Sequence, residues 1–301
     1  MAKKGLSCIA TSDYVPLAEL MLDSHAEHNS GYEYFIFLAD DGLVESRYAI
    51  RALFSLVSDE EFRNLSRKYT LAELCYCFKP YVLSYMLDQG FDQAFYLDTD
   101  IYVYSRFEPI ERMLAEHDIL LTPHRAKPSG DPSADLVLHR AGTFNAGFLA
   151  VRKTEQAELF LQWWAQRTTQ FGYNKTWEGM CGDQRWLDTV PIIFPTTGVL
   201  RHLGCNVGHW NLDERDLNDS AENPMIGADA LIFFHFSGFQ VSEPEHVSVH
   251  NEILVPENYR SLFRKYAERI ADSGFNPEQK RLSALQRILA SIRRRTRRLN
   301  R

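Results

Sequence analysis

The 301-residue chain predicts an α/β fold in which a mixed, mostly parallel sheet is flanked by helices. Short apolar runs of strand length alternate with stretches of helical periodicity, and turn residues close several of the runs. Strands and helices that alternate along a chain assemble as a parallel sheet covered on both faces. No apolar run reaches the roughly 18 residues of a membrane-spanning helix, which is the expectation for a soluble chain.

The elements follow in order. Leu6 to Ala10 reads as a strand, followed by a helical pattern through Leu17, Leu20, Met21 and His25. Tyr34 to Leu38 is a second strand, closed by Ala39-Asp40-Asp41-Gly42. Helices are expected around Glu60 to Tyr69 and Pro80 to Leu87, with Gly90 as the stop, before the strand Ala94 to Leu97 enters Asp98. Ile119 to Thr122 and Gly147 to Val151 are further strands, the latter leading into a helix from about Thr154 to Arg167. Pro191 to Pro195 and Ala230 to Phe234 complete the expected strands. Ala126 to Arg140, with Pro128, Gly130 and Pro132, reads as a loop, as does the aromatic-rich Gly172 to Gly182.

Charge is unevenly placed. Eight arginines and no acidic residue fall between Arg281 and Arg301, leaving 25 basic against 40 acidic residues in the body. An acidic body argues against nucleic acid as a partner. Leu285, Ile288, Leu289 and Ile292 recur at helical spacing within that basic stretch, a pattern suited to the surface of an anionic membrane. The chain thus divides into a body over 1–275 and a basic amphipathic tail over 276–301. Its five cysteines are scattered without paired zinc-type spacing, as reduced cytoplasmic thiols would be, and Cys75 and Cys77 are expected to pack.

Chemistry concentrates at strand ends. Side chains alternate along extended backbone, so Asp98 and Asp100 point one way with Thr99 turned aside. Ligands in open α/β sheets bind beyond the carboxyl ends of strands, and paired carboxylates there suit Mn²⁺ or Mg²⁺. Taken alone, an acid-x-acid triplet more often caps a strand in water. A second apolar strand ends in His235-Phe236-Ser237-Gly238; imidazole suits Mn²⁺-class metals, and Gly238 lets backbone approach a phosphate.

Phe91 to Ile101, containing Asp98-Thr99-Asp100, resembles the metal-binding segment of GT-A glycosyltransferases, in particular the retaining glycosyltransferase family 8 of bacterial lipooligosaccharide galactosyltransferases and glycogenin. Phe144 to Phe148 resembles the segment that meets the donor sugar there, Gly182-Asp183-Gln184 a second sugar-contacting segment, and His235 to Gly238 the histidine motif that completes the metal site. The matches keep family order from about Leu6 to Gly238. The resemblance implies that Asp98, Asp100 and His235 hold Mn²⁺ or Mg²⁺ on the diphosphate of a nucleotide sugar, by expectation a UDP-hexose. It places Thr11 and Asp13 at base and ribose, Lys79 at nucleotide or phosphates, and Asn145, Asp183 and Gln184 around the donor sugar. Asp183 and Gln184 are the expected catalytic residues, near the reacting face in a retaining enzyme, with Asp183 the base in an inverting one; as an aspartate at a helix start, Asp183 equally reads as an N-cap.

The acceptor expected is a saccharide or lipid-linked glycan at the inner membrane face, with Trp177, Trp186, His209, Trp210, His250, His124 and Arg125 as candidate contacts. His202 to Arg215 and Phe239 to His250 depart from the well-studied members and point to a bacterial branch. Two other functions use similar features. A haloacid-dehalogenase-type phosphotransferase carries Thr or Val where this chain has Tyr102, and a protein that binds nucleotide sugars without turnover would keep every ligand position.

Overall fold

The computed structural model describes residues 2–219, 223–250 and 253–276, so the basic stretch beyond residue 276 lies outside the described residues. The chain opens with β1 (Lys4–Ala10), α1 (Val15–His28), β2 (Tyr32–Leu38) and β3 (Ala49–Ala52). Helices α2 (Asp59–Lys68) and α3 (Leu71–Asp88) precede β4 (Gln93–Leu97), β5 (Ile101–Val103), α4 (Glu108–Glu116) and β6 (Ile119–Pro123). Next come α5 (Pro132–Ala141), β7 (Phe144–Arg152), α6 (Glu155–Phe171), the short pair β8 (Asn174–Lys175) and β9 (Met180–Cys181), and α7 (Val190–Ile193). β10 (Thr197–Val199), β11 (Leu217–Asn218), β12 (Met225–Ile226), β13 (Asp229–Ala230), β14 (Phe233–His235) and α8 (Arg260–Asp272) finish the described fold.

Seven strands form the main sheet in the order β10-β6-β7-β4-β1-β2-β3. All neighbours pair in parallel except β7, which runs antiparallel to both β4 and β6. That single reversal matters for the site. At the edge where the parallel strands end, β7 begins, and Asn145 therefore stands level with Thr122 at the close of β6.

Alternation sorts the core into two layers. Ala94 and Tyr96 of β4 face α3 and α6, packing with Phe78, Leu83, Met86, Phe160 and Trp164. Phe95 and Leu97 face α1 and α4, packing with Ala18, Met21, Ile110 and Leu114. A third cluster joins β5 and β14 to α8, where the Phe236 and Tyr266 rings stack 3.7 Å apart. Helix α3 starts on a capping box in which the Thr70 hydroxyl accepts from the Glu73 N–H and Glu73 accepts from the Thr70 N–H.

Four local expectations are corrected. Pro80 lies inside α3 rather than at its start, because the Thr70–Glu73 box opens the helix nine residues earlier. The loop expected over 126–140 contains α5, with Pro132 in its first turn and Asp131 as cap, accepting from Ser133 N–H at 2.8 Å. Pro191 to Pro195 is not a strand: Pro191 initiates the single turn α7, and the edge strand follows at Thr197. The run Ala230 to Phe234 breaks into β13 and β14 because Ile232 N–H and Phe233 N–H both donate to Gly204 O.

Trp164 ties the core to the edge where the strands end, since its fully buried indole donates to Asp183 O at 3.0 Å. Trp164→Ala is expected to lower unfolding stability by roughly 3–5 kcal/mol, read by chemical denaturation. Trp164→Phe, which keeps most of the volume and loses the hydrogen bond, is expected to cost about 1–2 kcal/mol.

Candidate metal and donor-sugar site

The site grows from the end of β4. Asp98 N–H donates to Gly147 O at 2.8 Å and Asp98 O accepts from Ile101 N–H at 3.2 Å, so the chain turns through Asp98, Thr99 and Asp100 before β5. β5 pairs antiparallel with β14 in a register that sets Ile101 opposite His235, and Phe236 N–H donates to Asp100 O at 2.8 Å. His235 Nε2 consequently faces Asp100 Oδ1 at 3.0 Å. The candidate ligand atoms of Asp98, Asp100 and His235 all lie within 4.8 Å of one another. The two strand ends do bring together the three residues named from the sequence.

Helix α3 contributes the opposing charge. Lys79, 3% exposed, places Nζ 3.2 Å from Asp98 Oδ1, 3.1 Å from Asp183 Oδ2 and 2.9 Å from Ala146 O. Burial alone would depress its pKa, but Asp183 and then Asp98 outweigh burial and hold the ammonium above the usual lysine range. Lys79, expected at the nucleotide or phosphates, has its ammonium on two carboxylates and a carbonyl, because the helix face that carries Phe78 and Val82 into the core carries Lys79 with it. Asp183 is buried, which raises its carboxyl above the ordinary range, with Lys79 pulling the other way. It makes no side-chain N-cap bond. In Asp100, burial raises the pKa but His235 beside it more than compensates, leaving the carboxyl below its usual range. His235 itself is depressed by burial and lifted by Asp100, with a net rise.

The charge inventory fits a divalent cation. Asp98, Asp100 and Asp183 supply three carboxylates to a corner where Lys79 is the fixed cation. Oxygen donors from two aspartates with one imidazole suit Mn²⁺, and Mg²⁺ less closely. Tyr96, two residues before Asp98 and so on the same side of the strand, donates its hydroxyl to Asp98 Oδ1 at 2.8 Å and steadies that carboxylate. The sequence carried that signal in its period of two, and Tyr96 was not singled out.

The remaining candidates are placed as follows. Thr11 and Asp13 follow the end of β1, which neighbours β4 in the sheet, and the Thr11 hydroxyl donates to the Asp13 carboxylate. Asn145 begins β7, and its Nδ2 donates to Gln184 Oε1 at 3.3 Å. Gln184 is fully engaged: Oε1 accepts from Ala146 N–H at 3.2 Å and Nε2 donates to Ala141 O at 2.9 Å. Gly238 has φ +73°, and a Cβ there would meet Ser248 Oγ at 2.5 Å. Trp210 lies edge-on to His235 at 5.2 Å and beside His209 at 4.9 Å, while the His209 and His250 rings are 5.7 Å apart. Trp177 is 84% exposed with the Arg140 guanidinium 4.3 Å from its ring centre. Trp186 packs against Trp163 and Phe171 instead. Arg125 is not in water: it pairs with Asp213 through both terminal nitrogens and donates to Trp210 O at 3.0 Å.

Removing the buried Lys79 ammonium tests this electrostatic reading. Lys79→Met leaves Asp98 and Asp183 without their cation and is expected to cost roughly 3–5 kcal/mol of stability at pH 7. Asp183 already has a raised carboxyl pKa, and losing Lys79 raises it further. A raised folded pKa for a carboxyl favours the folded state at low pH, and that advantage fades as pH rises through it. The defect should shrink between pH 7 and pH 5 in denaturation curves; an equal deficit at both would contradict the pairing.

No family model matches the chain. Among curated proteins, it is 29% identical over 197 residues to the uncharacterized protein YfnD of Bacillus subtilis (strain 168), covering 63% of this chain and 61% of that one. It is 27% identical over 175 residues to the uncharacterized protein YfnF of the same organism, covering 56% and 58%. The matched region spans about three-fifths of each relative's length. The solved galactosyltransferase LgtC, in complex with donor and acceptor sugar analogues, superposes at TM-score 0.51 with 13% identity, covering 92% of this chain and 99% of that one. An active-site mutant of LgtC reaches 0.53 at 15% identity, with the same coverage. The glycosyltransferase GlyE of Streptococcus pneumoniae TIGR4 superposes at 0.51 with 16% identity, over 89% of this chain and 60% of that one. The seven-stranded sheet and its flanking helices are thus the GT-A fold of these glycosyltransferases.

Proposed function

We propose that the chain is a metal-dependent glycosyltransferase that moves a hexose from a nucleotide sugar, by expectation a UDP-hexose, to a saccharide or lipid-linked glycan. The observation that carries this reading is the clustering of Asp98, Asp100 and His235 at the crevice where the sheet strands end. The superposition with LgtC, solved with donor and acceptor sugar analogues, supports both classes of partner.

Asp98, Asp100 and His235 would hold Mn²⁺ or Mg²⁺, which supplies Lewis-acid neutralisation of the departing diphosphate. The chain's own groups do the rest. Thr11 and Asp13, past the end of β1, meet base and ribose, while Thr99 and the Gly238 backbone line the nucleotide. Lys79 pairs with Asp98 and Asp183 and orients Asp98 for its task. Asn145, Asp183 and Gln184 position the donor hexose. Gln184, with its amide locked at both ends, presents a fixed dipole to the sugar where positive charge develops at the anomeric carbon. Asp183 is buried and paired with Lys79, an arrangement that favours charge stabilisation over proton abstraction and supports retention over inversion.

Among the described residues no helix is long and apolar enough to cross a membrane. The Arg-rich stretch over 276–301 is proposed to bring the active site to an anionic cytoplasmic membrane surface, as its eight arginines on a helical apolar pattern suggest.

A thermal-shift panel of nucleotide sugars with and without Mn²⁺ tests the reading. Donor and metal together are expected to raise the melting temperature beyond either alone, by the equivalent of about 2.7 kcal/mol when ligand is at 100 times its Kd. Asp100→Asn should abolish the metal-dependent part and reduce turnover by at least ~10²-fold. A stabilised protein that releases no nucleoside diphosphate with any saccharide or lipid-linked acceptor would instead be a binder without turnover.

A further inference from the structure

Hydrogen-bond directions around Asn145 form a closed set, and they bear on His235. The N–H of Gly147 is an obligate donor and lies 3.0 Å from one side-chain atom of Asn145, which makes that atom the carbonyl Oδ1. His235 Nδ1 is 3.1 Å from the same oxygen, and only a protonated nitrogen can donate to it. Nδ1 therefore carries its hydrogen, and Nε2 is the nitrogen turned to Asp100. The other side of the amide is equally determined. Asn145 Nδ2 donates to Gln184 Oε1 and lies 3.4 Å from His124 Nε2. His124 Nδ1 is 2.8 Å from Gly142 O, a pure acceptor, so Nδ1 holds the hydrogen and Nε2 offers a lone pair to Asn145.

His124 is 4% exposed, and burial lowers its pKa to about 4, so the ring is neutral at pH 7 and this polarity persists. The backbone leaves room for the arrangement at one residue. A Cβ on Gly147 would fall 2.3 Å from His235 Cε1, 2.6 Å from Nδ1 and 2.8 Å from Asn145 Oδ1.

We propose that Asn145, oriented by His124, is the positioning residue that fixes the tautomer of His235 and aims Nε2 at a divalent cation held with Asp98 and Asp100. The inference rests on the metal reading above and gives Asn145 a task separate from contact with a donor sugar. A ligating imidazole whose second nitrogen donates to an oxygen is held in one orientation and made more basic. Gly142 O, His124, Asn145 and His235 then form one directional chain from the end of α5 to the metal corner, with each hydrogen assigned.

The test measures Mn²⁺ affinity by titration calorimetry in wild type, Asn145→Ala, Asn145→Asp and His124→Leu, after circular dichroism has confirmed that each variant is folded. Asn145→Ala is expected to lose roughly 10–100-fold in affinity. Asn145→Asp keeps an oxygen for His235 Nδ1 while losing the donor to Gln184 and His124, and should return to within a few-fold of wild type. His124→Leu should fall between the two. Long-range ¹H–¹⁵N spectra of the Zn²⁺-loaded protein should show His235 protonated at Nδ1 in wild type and Asn145→Asp, and a loss of that single pattern in Asn145→Ala. Unchanged affinity in Asn145→Ala, or equal weakness in Asn145→Ala and Asn145→Asp, overturns the proposal. Wild type that binds no Mn²⁺ sinks the metal reading itself and the proposal with it.

Discussion

The buried ammonium of Lys79 is the interaction on which the rest of the strand-end corner depends. Carboxylates withdrawn from water are costly without cations beside them, and Lys79 reaches both Asp98 and Asp183 from the helix layer. Its third contact, Ala146 O, ties the same ammonium to the backbone of β7. One side chain thus fixes the relative positions of α3, the end of β4, the start of β7 and the turn holding Asp183. The third carboxylate, Asp100, is left to His235. A corner of three carboxylates around one fixed ammonium has room for additional positive charge, which is the electrostatic condition a divalent ion meets.

Topology explains why residues so far apart in sequence meet. Parallel strands end at one edge, and β7, which runs antiparallel to its neighbours in the main sheet, delivers the beginning of its run, Asn145, to that same edge. The turn after Asp98 redirects the chain into β5, and β14 pairs with β5 outside the main sheet. Aromatic packing under that small ribbon, with Phe234 and Phe236 against Phe263 and Tyr266, holds it to α8. His235 is therefore carried at the end of a paired strand rather than on a loop.

Much of this was legible in the sequence, for a physical reason. Strands buried on both faces read as continuous apolar runs, so β1, β2, β4 and β7 stand out, and polar residues at their ends mark the crevice. Asp98, Asp100 and His235 were visible as strand-end residues, whereas the β5–β14 pairing that joins them has no local signature. Helix α5 was hidden because none of its residues is buried, and its flanking Pro128 and Gly130 read as loop. Lys79 was named for the nucleotide or phosphates, but its pairing with Asp98 and Asp183 was hidden, because a lysine among buried helix residues looks like any solvated lysine until its partners are placed. Tyr96 was missed, and His124 was named only as a candidate acceptor contact, because their roles lie in which atoms they face.

Mn²⁺ soaked into crystals and located by its anomalous scattering tests the central claim most directly. The account predicts a single strong peak bounded by Asp98, Asp100 and His235 Nε2, with metal–ligand distances near ~2.1–2.3 Å and His235 Nδ1 still on Asn145. An ion bound elsewhere along the strand ends, or a corner that stays closed by the His235–Asp100 pair at saturating Mn²⁺, would contradict it.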